Sequence, residues 1–337
     1  MAKKSSTKKS PASRTPAGKT LDIKLKKILD GKYDPRDFII ADAKDADMAF
    51  GVMAPWQGRS RDMYLDNMRA LVKQGVLDIL LTSASNGQRL SKEGSLAKLN
   101  KRVTLAVRGN DATDIWNPRG SNYPTYMSRP FQTVNLKAVK KFCNLVLYSV
   151  TFNNDIERDH QTLLDFKKFR EEAGALGIQY FLEVFNPNAP VGLAPKDVGG
   201  FVNDHIVRGL AGVVQEERPL FLKMAYNGGR SLQELAEHDP SLVVGILGGG
   251  AGTTRDTFEL LHRTEIYGGR VALFGRKIQR AESQLDIVRL MRPVLEKKLS
   301  PGDAVREYHH SLEAQRIKPI RSLEEDLQIT DPVLLAE

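Results

Sequence analysis

The chain has 337 residues, 41% of them apolar, with 50 Lys and Arg against 41 Asp and Glu, for a formal net charge of +9. That length and apolar content suffice for the core of one large α/β barrel or two ordinary domains, and they exclude global disorder. A single cysteine, Cys143, excludes an internal disulfide and fits a reducing, cytoplasmic setting; the absence of any apolar run near 20 residues gives no reason to expect a membrane partner.

The charge is unevenly placed. Residues 1–20, MAKKSSTKKSPASRTPAGKT, hold six Lys/Arg and no acid, which leaves +3 for the other 317 residues. With almost nothing to bury, this segment is expected to be a disordered basic tail. It is either a solvated leader or a weak contact for a polyanion, which Lys-rich segments bind by releasing counterions. In the next stretch, TLDIKLKKILDG, the spacing of Leu21, Leu25, Ile28 and Leu29 predicts a helix, with Thr20 as N-cap and Gly31 as stop, that plugs a barrel floor.

Beyond it, short apolar runs alternate with longer helix-patterned segments, the signature of βα units and a parallel sheet. Eight runs read as strands: 37–42 (DFIIAD), 76–82 (VLDILLT), 103–108 (VTLAVR), 144–150 (NLVLYSV), 179–185 (QYFLEVF), 220–226 (LFLKMAY), 242–249 (LVVGILGG) and 270–275 (RVALFG). Eight such units predict a TIM (β/α)8 barrel with an N-terminal capping helix. The expected organisation is a tail over 1–20, a barrel over 21–300 and a charged helical extension over 301–337, packed outside. A doubly wound sheet is the rival, but no Gly-rich dinucleotide fingerprint follows the first strand.

Barrel chemistry sits at the C-terminal strand ends. In the sixth run Lys223 interrupts an apolar strand; if it points inward, so do Phe221 and Ala225, while Leu222, Met224 and Tyr226 face the helices. Desolvation favours the neutral form of an interior amine, which can attack a carbonyl and form a Schiff base. The alternative is a strand-end lysine that snorkels outward or pairs with an acid. Glu183 interrupts the fifth run in the same way, as a proton shuttle or as an ion-pair partner for Lys223. Asp42 and Lys44 alternate at the end of the first run and share one face if the strand runs that far, solvated strand-end charges being the alternative, while Tyr148 near the end of the fourth is a candidate proton donor or a packing residue. Gly248, Gly249 and Gly250 before a helix start near Thr253, and Gly275 with Arg276 after the eighth run, suit a phosphate, because glycine lets backbone N–H groups approach an anion, or serve only as tight turns. The long third loop, over 109–132, carries Tyr123 and Tyr126 and reads as a lid or an oligomer contact. The six histidines show no metal-ligand spacing, so neither metal nor cofactor is expected.

Taken together, the order of IIADAKDADM, LVLYSV, YFLEVF, LFLKMAY, LGGGAGTTRDTFELLHR and FGRKIQ over about residues 37–295 resembles the class I, Schiff-base sugar-phosphate aldolases. The likeness is to the tagatose-bisphosphate group and its archaeal-type fructose-bisphosphate and deoxyribose-phosphate relatives. The resemblance implies a metal-independent lyase acting on a phosphorylated ketose, foremost a ketose bisphosphate, and a homo-oligomer is a partner to expect. It makes Lys223 the iminium-forming residue and Glu183 the acid/base. Asp42 would position or deprotonate substrate, and Gly249, Gly250, Gly275 and Arg276 would hold a phosphate. The chain departs from the family at Asn144, where a fourth-strand lysine is usual, and in LLTSASNG, which lacks the usual Asp-Pro. A transaldolase-like transfer, or a non-catalytic barrel recruited through its basic tail, are the alternative readings.

Overall fold

The computed structural model describes residues 18–54 and 60–336. Eight parallel strands close on themselves: β1 Ile39–Lys44, β2 Ile79–Thr82, β3 Thr104–Arg108, β4 Leu145–Thr151, β5 Gln179–Phe185, β6 Leu222–Met224, β7 Gly245–Leu247 and β8 Val271–Phe274. Neighbours around the ring follow chain order, with β1 bonded to both β2 and β8. This is the (β/α)8 barrel that the alternating pattern predicts, and closure excludes the doubly wound sheet. The expectation of a disordered tail falls on residues of which 1–17 lie outside those described.

Period-two alternation sorts each strand into an inner and an outer set. Ile39, Ala41, Leu81, Leu147, Phe181, Phe221, Val243 and Leu273 form one buried cluster that fills the barrel. Ile40, Tyr148, Leu182, Leu222, Met224 and Ile246 join the larger cluster between strands and helices. Phe181 and Phe221 stack inside with ring centroids 4.6 Å apart, so the lower barrel is solid.

The first helix, Thr20–Leu29, closes the N-terminal end. Leu21 and Leu25 belong to the interior cluster, with Ile28 packed against it. Lys24 and Lys27 tie the helix to the strand bases through Asp78 and Asp37, each at 2.7 Å. Two local expectations are corrected. The N-cap is Lys19, and Thr20 instead turns its hydroxyl to the Arg102 carbonyl at 3.3 Å. Leu29 lies off the buried face and is 52% exposed. Gly31, at φ +68°, provides the left-handed turn after the helix.

The last barrel helix, Gln284–Leu295, is followed by Pro301–Ala314, whose Val305, Tyr308 and Leu312 are buried in the outer cluster. Residues further on return to the barrel top: the Asp326 carboxylate accepts the Thr254 N–H at 2.7 Å, and Asp256 accepts the backbone N–H groups of Thr330 and Asp331 at 2.8 and 3.2 Å. Among the described residues no helix is long and apolar enough to cross a membrane. If the first helix is an integral plug, Leu21→Ala should cost about 2–5 kcal/mol in urea unfolding of the full chain; a loss below about 1 kcal/mol would show the helix to be an ornament.

Candidate active site

The C-terminal mouth of the barrel opens into a cavity of about 590 Å3 lined by residues from the ends of most strands. At its base Lys223 and Glu183 are register partners on β6 and β5, both pointing inward, 6% and 1% exposed. Lys223 Nζ makes an ion pair with Glu183 Oε1. The other carboxylate oxygen, Oε2, accepts the Ser149 hydroxyl at 2.6 Å and faces the Arg108 guanidinium at 3.4 Å. Arg108, the last residue of β3, donates in turn to Ser149 Oγ at 2.8 Å, to Asp45 Oδ2 at 2.8 Å and to the Asn110 carbonyl at 3.0 Å. Asn110 completes the support: its side-chain oxygen accepts the Ser149 N–H at 2.7 Å.

The base of the cavity therefore holds two cations, Arg108 and Lys223, interleaved with two carboxylates, Glu183 and Asp45. Buried charges persist only when paired and hydrogen-bonded, and here each has an opposite partner. Burial alone would raise the Asp45 carboxyl, but the nearby Arg108 and Lys223 cations and the Arg108 hydrogen bond hold it below the ordinary 3.8. Asp45 is thus an ionised acceptor at the cavity wall, beside the amine.

The phosphate-type elements sit on one side of the mouth. Gly248 and Gly249 after β7, and Gly275, Arg276 and Arg280 after β8, line the cavity. Gly249 adopts φ +64°, a conformation that glycine enters without strain. Gly275 precedes the short helix Arg276–Gln279, and no side chain caps that turn. Arg276 is exposed to the cavity and makes no ion pair among the described residues; the neighbouring Arg280 charge opposes its own.

Several expectations are corrected by these positions. Asp42 and Lys44 do share a face, but it is the outer one: Ala41 and Ala43 point into the barrel, so Asp42 and Lys44 lie behind β1, fully buried and 3.4 Å apart. Neither lines the cavity. Burial raises the Asp42 carboxyl to about 6 against the opposing pull of Lys44. Lys44 Nζ donates to Gln284 Oε1 at 2.8 Å and to Gln279 Oε1 at 2.7 Å, and Gln279, which lines the cavity, donates through Nε2 to the Ala54 carbonyl at 3.3 Å. Tyr148 also faces outward, stacked on Phe169 at 4.2 Å and Phe166 at 5.5 Å, too remote to donate a proton. Gly250 is exposed and off the cavity wall. The N-terminus of the helix Thr254–Ile266 is not open to an anion either. Thr253 and Asp256 cap it reciprocally, and Asp326 occupies the Thr254 N–H.

Asp45, Ser149 and Arg108 carry much of this site, and none was assigned a role from sequence. The inward phase of Ala41 and Ala43 extends to Asp45, so the signal was the phase of β1, readable from its small residues. Ser149 is the register partner of Glu183; a lone serine gives no charge signal.

The fold can be placed among known structures. No protein-family model matches the chain, and no curated protein is found to match it in sequence. Among solved structures it is similar to a Schiff-base-forming fructose-1,6-bisphosphate aldolase, at 12% identity and TM-score 0.61, covering 82% of this chain and 99% of that one. An archaeal fructose 1,6-bisphosphate aldolase aligns at 13% identity and TM-score 0.60, over 82% and 99%. The fructose-bisphosphate aldolase of Slackia heliotrinireducens aligns at 15% identity and TM-score 0.61, over 87% and 90%. At these identities the likeness establishes a shared barrel fold.

The charge network makes a direct prediction. Arg108→Met leaves Glu183 and Asp45 short of a cation and should cost about 3–5 kcal/mol at neutral pH. Because the folded-state Asp45 carboxyl is depressed, its contribution is complete above the unfolded-state value near 3.8 and is lost as pH falls through the lower folded-state value. Denaturation of wild type below about pH 4 should show that loss, and Arg108→Met should flatten it. Equal acid slopes in the two proteins would contradict the assignment.

Proposed function

We propose that this protein is a class I aldolase acting on a phosphorylated ketose. The observation that carries the reading is a lysine inside a barrel mouth, in contact with a carboxylate that is itself held by Ser149 and Arg108, facing a cavity with glycine turns and Arg276 on one side. An ion pair in that position is also a store for one proton. Transfer from Lys223 Nζ to Glu183 Oε1 within their shared contact gives a neutral amine and a neutral acid, and only the amine is nucleophilic.

The amine attacks the ketone carbon, and a proton passes from nitrogen to the carbonyl oxygen to give the carbinolamine. Glu183, protonated at Oε1 and fixed at Oε2 by Ser149, returns its proton to that hydroxyl, which leaves as water and creates the iminium. The iminium draws in the electron pair of the C–C bond β to it. That bond breaks as a hydroxyl on the departing carbon loses its proton, and Asp45, ionised at the cavity wall, is placed to accept it. Protonation of the resulting enamine and hydrolysis regenerate Lys223. A phosphate seated by the backbone of Gly248, Gly249 and Gly275, with Arg276, would fix the substrate against the amine through binding energy remote from the reacting bond. The four-carbon reach of the lysine and the solid aromatic floor beneath it leave the cavity side as the approach for the carbonyl.

Support for the reading comes from the fold shared with Schiff-base aldolases and from an inward lysine–glutamate pair on β6 and β5. Borohydride reduction during incubation with phosphorylated ketoses tests it: a reduced adduct should map to Lys223, and Lys223→Met should lower cleavage by about 10^3-fold or more. Undiminished cleavage by Lys223→Met, or an adduct on another lysine, would refute the assignment. Glu183→Gln should lower kcat by about 10^2–10^4-fold, the range of general acid–base catalysis, read by steady-state kinetics.

A further inference from the structure

We infer that the substrate carries a single phosphate, on the ketone side of the scissile bond, and that the cavity excludes a second phosphate at its far end. The inference deepens the aldolase reading and rests on it only for which carbon meets Lys223; the location of the charges stands independently.

Around the closed ring β8 and β4 lie opposite each other, four strands apart in either direction. Above β8 stand Arg276 and Arg280, with the glycine turn after β7 beside them. Above β4 stands an acid. Asp114, in the loop after β3, lines the cavity and is fixed there by two hydroxyls, Thr151 Oγ1 on its Oδ2 at 2.6 Å and Ser128 Oγ on its Oδ1 at 2.9 Å. Thr151 is the last residue of β4, so the carboxylate is held directly over that strand end. Its neighbours on that wall are the amides Asn186 and Asn188. Asn188 is itself fixed, accepting the Ser128 N–H at 3.2 Å and donating to the Tyr126 carbonyl at 2.6 Å.

A phosphate dianion at this wall would meet a carboxylate where it needs a cation. Among the described residues, the one cation that lines the cavity on this side is Arg108, and Asp45, Glu183 and Ser149 already engage it. Two like charges in a partly desolvated site repel far more than in water. Carboxylate and amide oxygens are, by contrast, good acceptors for the hydroxyls of a neutral carbon chain. The cavity is therefore polarised, cationic over β7 and β8, acidic and amidic over β4 and β5, with the amine between. A ketose bound along that axis places its phosphate on the fragment that stays attached to Lys223. Cleavage then sends the electron pair of the broken C–C bond into the iminium, leaving a phosphorylated enamine on the lysine, while the departing carbon loses its hydroxyl proton and exits as an unphosphorylated aldehyde. This replaces the ketose bisphosphate that the family resemblance puts foremost.

The test has a chemical and a binding arm, both on the full chain. In the first, kcat/KM for fructose 1-phosphate should exceed that for fructose 1,6-bisphosphate by about tenfold or more, and Asp114→Asn should shrink the ratio by raising the bisphosphate value. In the second, calorimetry compares glucitol 1-phosphate with glucitol 1,6-bisphosphate, which have no carbonyl and cannot react. Tighter binding of the monophosphate, with the gap closed in Asp114→Asn, supports the inference even if no lysine adduct forms and the aldolase reading fails. Equal or tighter binding of the bisphosphate, a ratio unmoved by Asp114→Asn, or no binding of either alditol overturns it.

Discussion

The structure turns on one constraint: four charged side chains stand together at the top of a cylinder whose floor is apolar. Removing such groups from water costs several kcal/mol each unless they are matched and hydrogen-bonded. Arg108 and Lys223 balance Glu183 and Asp45, and each carboxylate oxygen of Glu183 has a different partner, Lys223 on one side and Ser149 with Arg108 on the other. This asymmetry has a chemical consequence. The oxygen facing the amine can exchange a proton with it, while the opposite oxygen is kept in place by groups that do not change charge. An arginine suits the anchoring position because its guanidinium remains protonated and spreads its donors over several acceptors in one plane.

The remainder of the molecule fixes these strand ends. Beneath the charges the stacked Phe181 and Phe221 and the plugging helix leave no soft floor into which Lys223 could withdraw. On the rim, the segment 326–331 reaches back to the N-terminus of the helix Thr254–Ile266 and occupies its amides, thereby holding the end of the glycine turn after β7. Behind β1, the fully buried Asp42 and Lys44 form a second, smaller charged cluster that never meets the cavity. Through Gln279, Lys44 links the back of β1 to the short helix carrying Arg276 and to the Ala54 carbonyl. The cavity wall over β8 and β1 is thus positioned by a polar contact that runs through the barrel wall, from outside to inside.

How much of this was legible in the sequence depends on what each residue type signals. A charge within an apolar run, as at Lys223 and Glu183, marks both a strand and its inner face, because the only tolerable site for it is a polar cavity. The same reasoning put Asp42 and Lys44 on one face but could not supply the phase, and a shift of one residue exchanges inside for outside. Ala41 and Ala43, which face the crowded interior, held that information. Tyr148 resembles a proton donor by type alone, whereas its place among Phe166 and Phe169 depends on a helix that only the fold brings near. Arg108 ends β3 in phase with the inward Ala106, so its direction was as legible as that of Lys223, whereas Asp114 lies in a long loop without periodicity and nothing local indicates that it crosses to the wall above β4. The helix start near Thr253 reads as an anion site until the distant Asp326 and the capping box are seen to occupy it.

In the proposed reaction the nitrogen of Lys223 is the point at which a carbonyl is captured, with an anion site on the β7 and β8 side. Crystals of the full chain soaked in dihydroxyacetone phosphate and flash-cooled test it most directly. Continuous electron density is expected from Lys223 Nζ to the carbonyl carbon, with the phosphate against Gly249 and Arg276. Density joined to a different lysine, or a phosphate seated beside Asp114, would contradict it.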